Sequence, residues 1–450
     1  MNAPTETSAF ARIPPLTPTQ WLICAVAGLG FAFDLYESLM GALIVGPVLT
    51  SLGGLKAGSA AFNHWVGLFF FLPAVTGGAF GLLGGYFTDL LGRRRVLVWS
   101  ILLYGCSAGA AGFATSLPLL LALRCTTMIG VCIEAVAAVA WLAELFPIPR
   151  QRELVLASAQ GCYALGGLMV SGAYYLAVTY ADGLPAVLGH HDAWRYTIIS
   201  GLIPALPLIV VRPFLPESPV WVARHTDGMQ ERPSIRGLFA PSLRRTTVLV
   251  TVMMALLLAI PYGALQQTPR VVAGLAWLHG VGPRAIEQTV SQLFLVQELG
   301  SVTGRVLFAM LVLRVANRRR LLQLFLIPSA VLLPSLFFFA TTADRLLFVV
   351  GLFSAQALFN AMHSFWGNYL PRVFPTRLRG TGESFAMNVG GRMIGVWAAI
   401  VTTQVANAMP SALPAERFAH AAGITMVLVV TTLLIMSFRL PEPRSDRLPE

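Results

Sequence analysis

Gly85-Tyr86-Phe87-Thr88-Asp89-Leu90-Leu91-Gly92-Arg93-Arg94-Arg95 is a short polar turn between two long apolar runs, and its basic end is written twice in the chain. Gly92-Arg93-Arg94-Arg95 recurs as Asn317-Arg318-Arg319-Arg320, offset by 225 residues. Leu215-Pro216-Glu217 recurs as Leu440-Pro441-Glu442 at the same offset, and Phe146-Pro147 as Phe374-Pro375 at 228. Three landmarks in one order, offset by half of a 450-residue chain, indicate two copies of one unit.

What surrounds the turns is apolar. The chain is 56% hydrophobic and 11% charged, against roughly a quarter charged in a soluble domain. Runs such as 101–123 and 246–262 are apolar all round, which excludes the alternating pattern of a membrane barrel and predicts helices. Spans are expected near 21–51, 62–89, 96–115, 117–146, 154–180 and 196–212, then 246–272, 286–315, 321–341, 344–374, 382–407 and 419–438. The expected fold is an all-α integral membrane protein of twelve spans in two six-helix bundles. Its expected parts are an N-terminal segment 1–20, a bundle 21–212, a linker 213–245, a bundle 246–438 and a tail 439–450. An even number of spans per half makes the repeats parallel, related by an axis along the membrane normal.

The net charge of +11 is a matter of placement. With the N-terminus inside, ~22 of the basic residues fall in cytoplasmic segments, ~6 outside and ~3 within helices. Positive-inside bias thus accounts for the charge without nucleic acid, and places both termini in the cytoplasm of a cell whose inner (plasma) membrane holds the chain. Cys24, Cys106, Cys125, Cys132 and Cys162 form no CxxC pair and read as small core residues. The polar N-terminus lacks a signal peptide's basic region and cleavage site, so the first helix is expected to direct insertion. No zinc motif, phosphate loop, nucleophile elbow or dinucleotide fingerprint occurs, which leaves neither an enzyme nor a cofactor to expect.

The first turn resembles the G-x-x-x-D-(R/K)-x-G-R-(R/K) loop of the major facilitator superfamily, with Leu90 at a position that is usually basic. The resemblance makes Gly85, Asp89, Gly92, Arg93 and Arg94 a conformational latch. Asp89 would bond a neighbouring helix N-terminus or an Arg, and Gly85 would permit close helix approach. Pro216-Glu217-Ser218-Pro219-Val220-Trp221 resembles the P-E-S-P-x-(W/F/Y) signature of sugar-porter-like facilitators, and implies a capped surface helix anchored by Trp221. Glu144, with Arg150 and Arg152, is similar to the family's E-x-x-P-x-x-x-R apart from the Arg spacing. Arg372 stands where the second-half copy usually has Glu, ahead of 374–382. Together these implicate a sugar-porter-like or organic-acid:proton symporter branch.

Charges inside a bilayer are functional candidates. Asp34 and Glu37 are three residues apart in the first span and share a helix face, and helical rise puts Asp34 at the depth of Arg124 in the fourth. An acid in span one beside an Arg in span four resembles the proton-coupling pair of proton-driven symporters. Asp34 is therefore expected to pair with Arg124 and to release it on protonation; the alternative is a static ion pair. Arg305 and Arg392 also lie deep and favour a carboxylate substrate, unless Arg305 only neutralises Glu298. The stretch 379–392, with Asn388, resembles the eleventh span of organic-acid/proton symporters. Gln266 and Gln267 are similar to the paired Gln of sugar porters, but Thr268-Pro269-Arg270 replaces the G-I-N that follows there. His363, Trp366, Asn368 and Tyr369 line a central cavity or simply pack, and Glu134 has no assignable partner.

The expected function is proton-coupled alternating-access transport of a small organic anion by a monomer in the lipid bilayer. A sugar or polyol porter, or a drug or metabolite exporter of the same fold, shares most of these features. A non-transporting sensor would need a larger output domain than the linker of ~30 residues offers.

Overall fold

The computed structural model describes residues 15–227, 235–375, 378–411 and 413–442. Glu231 and Arg232 of the linker, Thr376 and Arg377, and both chain ends lie outside them. Among the described residues, eleven helices are long and apolar enough to cross a membrane. A further helix, Arg93–Ala111, begins with three arginines, which shorten its apolar length, and completes the set of twelve.

The first six spans are Pro18–Ser51, Ala60–Leu91, Arg93–Ala111, Leu117–Leu145, Pro149–Tyr180, and Ala193–Ser200 continued after Gly201 by Leu202–Val211. The surface helix Pro219–Asp227 follows. The seventh span is Arg244–Gly263, extended by Leu265–Gln267 and Thr268–Val272. Then come Pro283–Val312, Arg318–Phe338 and Arg345–Val373 as the eighth to tenth. The eleventh runs through Arg379–Phe385, a π-helical stretch Ala386–Gly395, and Trp397–Ala408; Pro414–Ser437 is the twelfth. Polar caps set several starts: Thr17, Ser59, Ser116, Asn317 and Asp344 each accept a backbone N–H three residues on.

Packing repeats with the sequence. The first span lies on the fifth and the second on the fourth; likewise the seventh lies on the eleventh and the eighth on the tenth. Small residues let these helices touch: a Cβ on Gly166 would stand 1.9 Å from the Ala32 carbonyl oxygen, and one on Gly304 would stand 2.0 Å from that of Ala357. The repeated landmarks make equivalent bonds. Glu217 accepts the backbone N–H of Arg94 at 3.0 Å, and Glu442 accepts that of Arg319 at 2.7 Å. Arg94 donates to Leu215 O at 3.3 Å, and Arg319 to Leu440 O at 2.7 Å. The Trp141 indole holds Pro216 O at 3.0 Å, and the Tyr369 hydroxyl holds Pro441 O at 2.6 Å. Each Leu-Pro-Glu segment thereby caps the arginine-rich helix start of its own half.

The two bundles meet along the second and eleventh spans and along the fifth and eighth. Away from the arginine turns the halves are tied together. Arg284 donates to Val178 O at 2.9 Å and to Asp182 at 2.5 Å, and Asn63 donates to Asn407 at 2.5 Å. Arg270 adds its guanidinium over the Phe70 ring, 5.2 Å from the centroid. On the face of the arginine turns a cavity separates them.

Candidate functional site

That cavity has a volume of about 1470 Å³ and reaches from mid-bundle to a mouth bounded by Asp89, Trp221, Ile235 and Gly380. Its deep wall carries Asp34, Glu298, Arg305 and Arg392, with Tyr163, Tyr262, Phe294 and Phe359 as aromatic surface. Of the residues singled out from sequence, Gln266 and His363 also line it.

The two arginines sit there with amide partners only. Arg305 Nη2 donates to Asn360 Oδ1 at 3.1 Å, and its guanidinium lies 5.8 Å from the Tyr163 ring centroid. Arg392 Nη1 donates to Asn388 Oδ1 at 2.8 Å, one turn earlier. Among the described residues neither has a carboxylate within 4.0 Å, so Glu298 does not neutralise Arg305 by direct pairing. The π-helical stretch Ala386–Gly395 carries both Asn388 and Arg392. Such wide turns break the regular helical register and are frequent at functional sites. Its glycines fit it tightly against the seventh span, where a Cβ on Gly390 would meet Thr251 O at 2.3 Å.

Asp34 and Arg124 do not pair. Arg124 instead donates to Glu37 Oε2 at 2.8 Å and to the Glu37 carbonyl at 2.6 Å, and both side chains are buried outside the cavity wall. Residues three apart stand about 60° apart around a helix and share a face, yet here Glu37 reaches the fourth span while Asp34 lines the cavity. Asp34 is 3% exposed, and its Oδ1 has no hydrogen-bond partner. It lies within electrostatic reach of Arg392 across the cavity, and of Glu134 and Arg212 behind it. Glu134, unassigned from sequence, is ion-paired with Arg212 at the end of the sixth span, and Arg212 also donates to Leu97 O at 3.3 Å.

Counting on by the 228-residue offset of Phe146-Pro147, the second-half counterparts of Arg124 and Glu134 are Leu352 and Met362, both fully buried. The bundle therefore folds with apolar residues at those places. Buried ion pairs often add little net stability over apolar residues of similar size, so the fold itself does not require the two in the first half.

Several sequence candidates fall elsewhere. Gln267 is turned away, its amide donating to Tyr262 O at 2.7 Å and accepting from Arg270 at 2.8 Å, so the paired glutamines do not face one ligand. Trp366 and Tyr369 belong to a buried aromatic cluster with Phe365, and Asn368 is not part of the cavity wall. Aromatic side chains on a span are ambiguous between cavity and core until the neighbouring helices are placed. Conversely, Tyr163, Tyr262, Asn360 and Gln297 line the cavity without having been singled out, and Glu383, from the stretch 379–392, lines it too. The polar ones among them interrupt long apolar runs, a signal the sequence carried. Cys106 is exposed on the bundle surface, in contrast to the expected core placement, and all five cysteines are unpaired.

The latch residues form one cluster inside the first half. Arg93 donates to Asp89 at 2.8 Å, to Glu144 at 2.9 Å and to Thr88 O at 3.1 Å. Ser218 hydrogen-bonds Glu144 and caps the surface helix by accepting the Trp221 N–H at 3.1 Å. The Trp221 indole donates to Asp89 O at 2.7 Å, docking on the second span. Gly92 has φ 94°, and a Cβ there would meet Glu217 Oε2 at 2.6 Å; only glycine suits both demands. Gly85 has open space at its Cβ position, so no helix approaches it closely here. Arg150 and Arg152 make no side-chain bond to the cluster.

A largely apolar cavity carrying a few charged side chains at mid-bundle, between two related six-helix units and open to one face, is the architecture of a membrane carrier of small solutes. Residues 21–399 match the Major Facilitator Superfamily, and the chain belongs to that family; it is a multi-pass transporter and not an enzyme. It is 30% identical over 391 residues to the probable 4-methylmuconolactone transporter of Cupriavidus pinatubonensis, covering 84% of each chain. It is 24% identical to the sialic acid transporter NanX of Escherichia coli, over 85% of this chain and 86% of that one. A crystal structure of a D-xylose-proton symporter shares its fold with a TM-score of 0.74 at 21% identity, covering 95% of this chain and 99% of that one.

Proposed function

We propose that the protein carries an organic carboxylate together with a proton across a bacterial plasma membrane, with both termini in the cytoplasm. The observation that supports this most is the pair of guanidiniums, Arg305 and Arg392, presented to one cavity without a carboxylate partner and opposite a buried Asp34. A guanidinium binds a carboxylate through two parallel hydrogen bonds. The aromatic side chains beside the arginines suit the ring or chain of an organic acid, and sialic acid, in the name of one relative, is such a solute.

The coupling follows from charge. An ionised Asp34 repels an incoming anion near Arg392, while a neutral one does not. Proton and substrate therefore favour each other's binding, and by linkage the effect is reciprocal. The arginine-rich loops lie at the cavity mouth, so with positive charge inside, the cavity is open to the cytoplasm. Closing it requires the halves to rock about the second/eleventh and fifth/eighth contacts. In that movement the exposed Asp89 would meet the start of the eleventh span near Gly380, while the Arg284 and Asn63 ties open on the other side. The sugar reading loses support from Gln267, whose amide is already engaged.

A thermal-shift screen of the purified protein tests the substrate class. Small carboxylates, aromatic ones among them, are expected to raise the unfolding midpoint by several degrees, since ligands that bind only the folded state stabilise it. Stabilisation by cationic compounds alone, or by sugars alone, would overturn the carboxylate assignment.

A further inference from the structure

On the arginine-turn face of the second half, away from the transport cavity, a separate crevice of about 650 Å³ lies between the start of the seventh span and the end of the twelfth. Arg244, Arg245 and Arg439 line it, and its floor is apolar: Val248, Leu249, Val252 and Met436. All three arginines are exposed, and among the described residues none of their side chains is paired with a carboxylate. Arg244 and Arg245 open the seventh span, where the helix dipole is positive and cations are unfavourable. Leu243, which precedes them, supplies no side-chain cap, so the first N–H groups also lack a side-chain acceptor. The first span, at the equivalent place in the other half, begins instead with a Thr17–Gln20 capping box and no basic residue in the described cap. Three arginines with no carboxylate partner among the described residues, a helix start whose Arg244 N–H has only the Ala240 carbonyl at 2.9 Å as its cap, and an apolar floor thus coincide where two spans emerge from the membrane.

We propose that this crevice binds the phosphate headgroup of an acidic phospholipid, with an acyl chain lying along Val248 and Val252. The charge complements a phosphodiester, and the position beside the bilayer surface selects a lipid over a free ion. Phe239, also in the crevice wall, packs edge-on against Phe385 with centroids 5.5 Å apart, and Phe385 lines the transport cavity. Occupancy by lipid thereby braces the mouth of the cavity. The reading stands independently of the substrate class.

Titration of phosphatidylglycerol into the full-length protein in a neutral detergent tests it, with phosphatidylcholine and inorganic phosphate as parallel arms and the unfolding midpoint as readout. Phosphatidylglycerol is expected to raise the midpoint, with the other two leaving it in place. The R244Q/R245Q/R439Q variant, altered only at exposed positions, is expected to need about a hundredfold more lipid for the same shift. R439Q alone, just past the end of the twelfth span, is expected to need about fivefold more. An equal response in the triple variant, or an equal shift from phosphatidylcholine, would overturn the site; an equal shift from inorganic phosphate would overturn the lipid as its occupant.

Discussion

Replacing Glu37 with Ala is expected to destabilise the protein by about 3–5 kcal/mol, the usual consequence of leaving one member of a buried ion pair without its counter-charge. Arg124 would keep only the Glu37 carbonyl at 2.6 Å and a weak contact to the Met40 sulfur. The double variant E37Q/R124Q, which removes both charges, is expected to recover much of that loss, because Leu352 serves at the equivalent place in the other half. Equilibrium unfolding in detergent measures both. The same experiment on Asp89→Ala sets the contrast: that side chain is 54% exposed, and a surface pair contributes at most about 1 kcal/mol. A double variant as unstable as E37A would mean that the pair holds the bundle together.

Arg392→Gln is expected to weaken carboxylate binding by at least about thirtyfold, since truncating one partner of a desolvated, charge-assisted contact costs roughly 2–5 kcal/mol. Arg392→Lys keeps the charge but not the planar fork, and is expected to fall between. Arg305→Gln is expected to weaken binding as well. Gln can preserve the hydrogen bond to Asn360, so folding should be little affected. Calorimetric titration with a carboxylate found by the thermal screen reads these differences directly. Unchanged affinity in R392Q would remove this arginine from the substrate site.

Depth was legible in the sequence, and direction was not. Apolar run lengths placed the spans to within a few residues, and the recurrence of Gly92-Arg93-Arg94-Arg95 and Leu215-Pro216-Glu217 carried the two-bundle fold, down to the matched caps by Glu217 and Glu442. Rise along a helix put Asp34, Glu37 and Arg124 at one level. It could not say which way each side chain points, because that depends on neighbours far away in sequence. Glu37 therefore took the partner expected for Asp34. Arg212 went unread for a related reason: it stood at an expected span end, where an arginine ordinarily reaches for water, yet it turns inward to Glu134. Of the two readings open for Tyr369, packing is the one found, and its role is that of Trp141, holding a Leu-Pro-Glu segment. The 228-residue offset of Phe146-Pro147 contained that equivalence.

The central claim is that one buried carboxyl, Asp34, couples the movement of an organic anion to a proton. Proteoliposomes holding wild type or Asp34→Asn, loaded and diluted to impose a pH gradient, test it most directly. With a permanently neutral side chain at position 34, the variant is expected to exchange labelled substrate against unlabelled substrate, yet fail to accumulate it under the gradient. Gradient-driven accumulation by the variant equal to that of wild type would contradict the account.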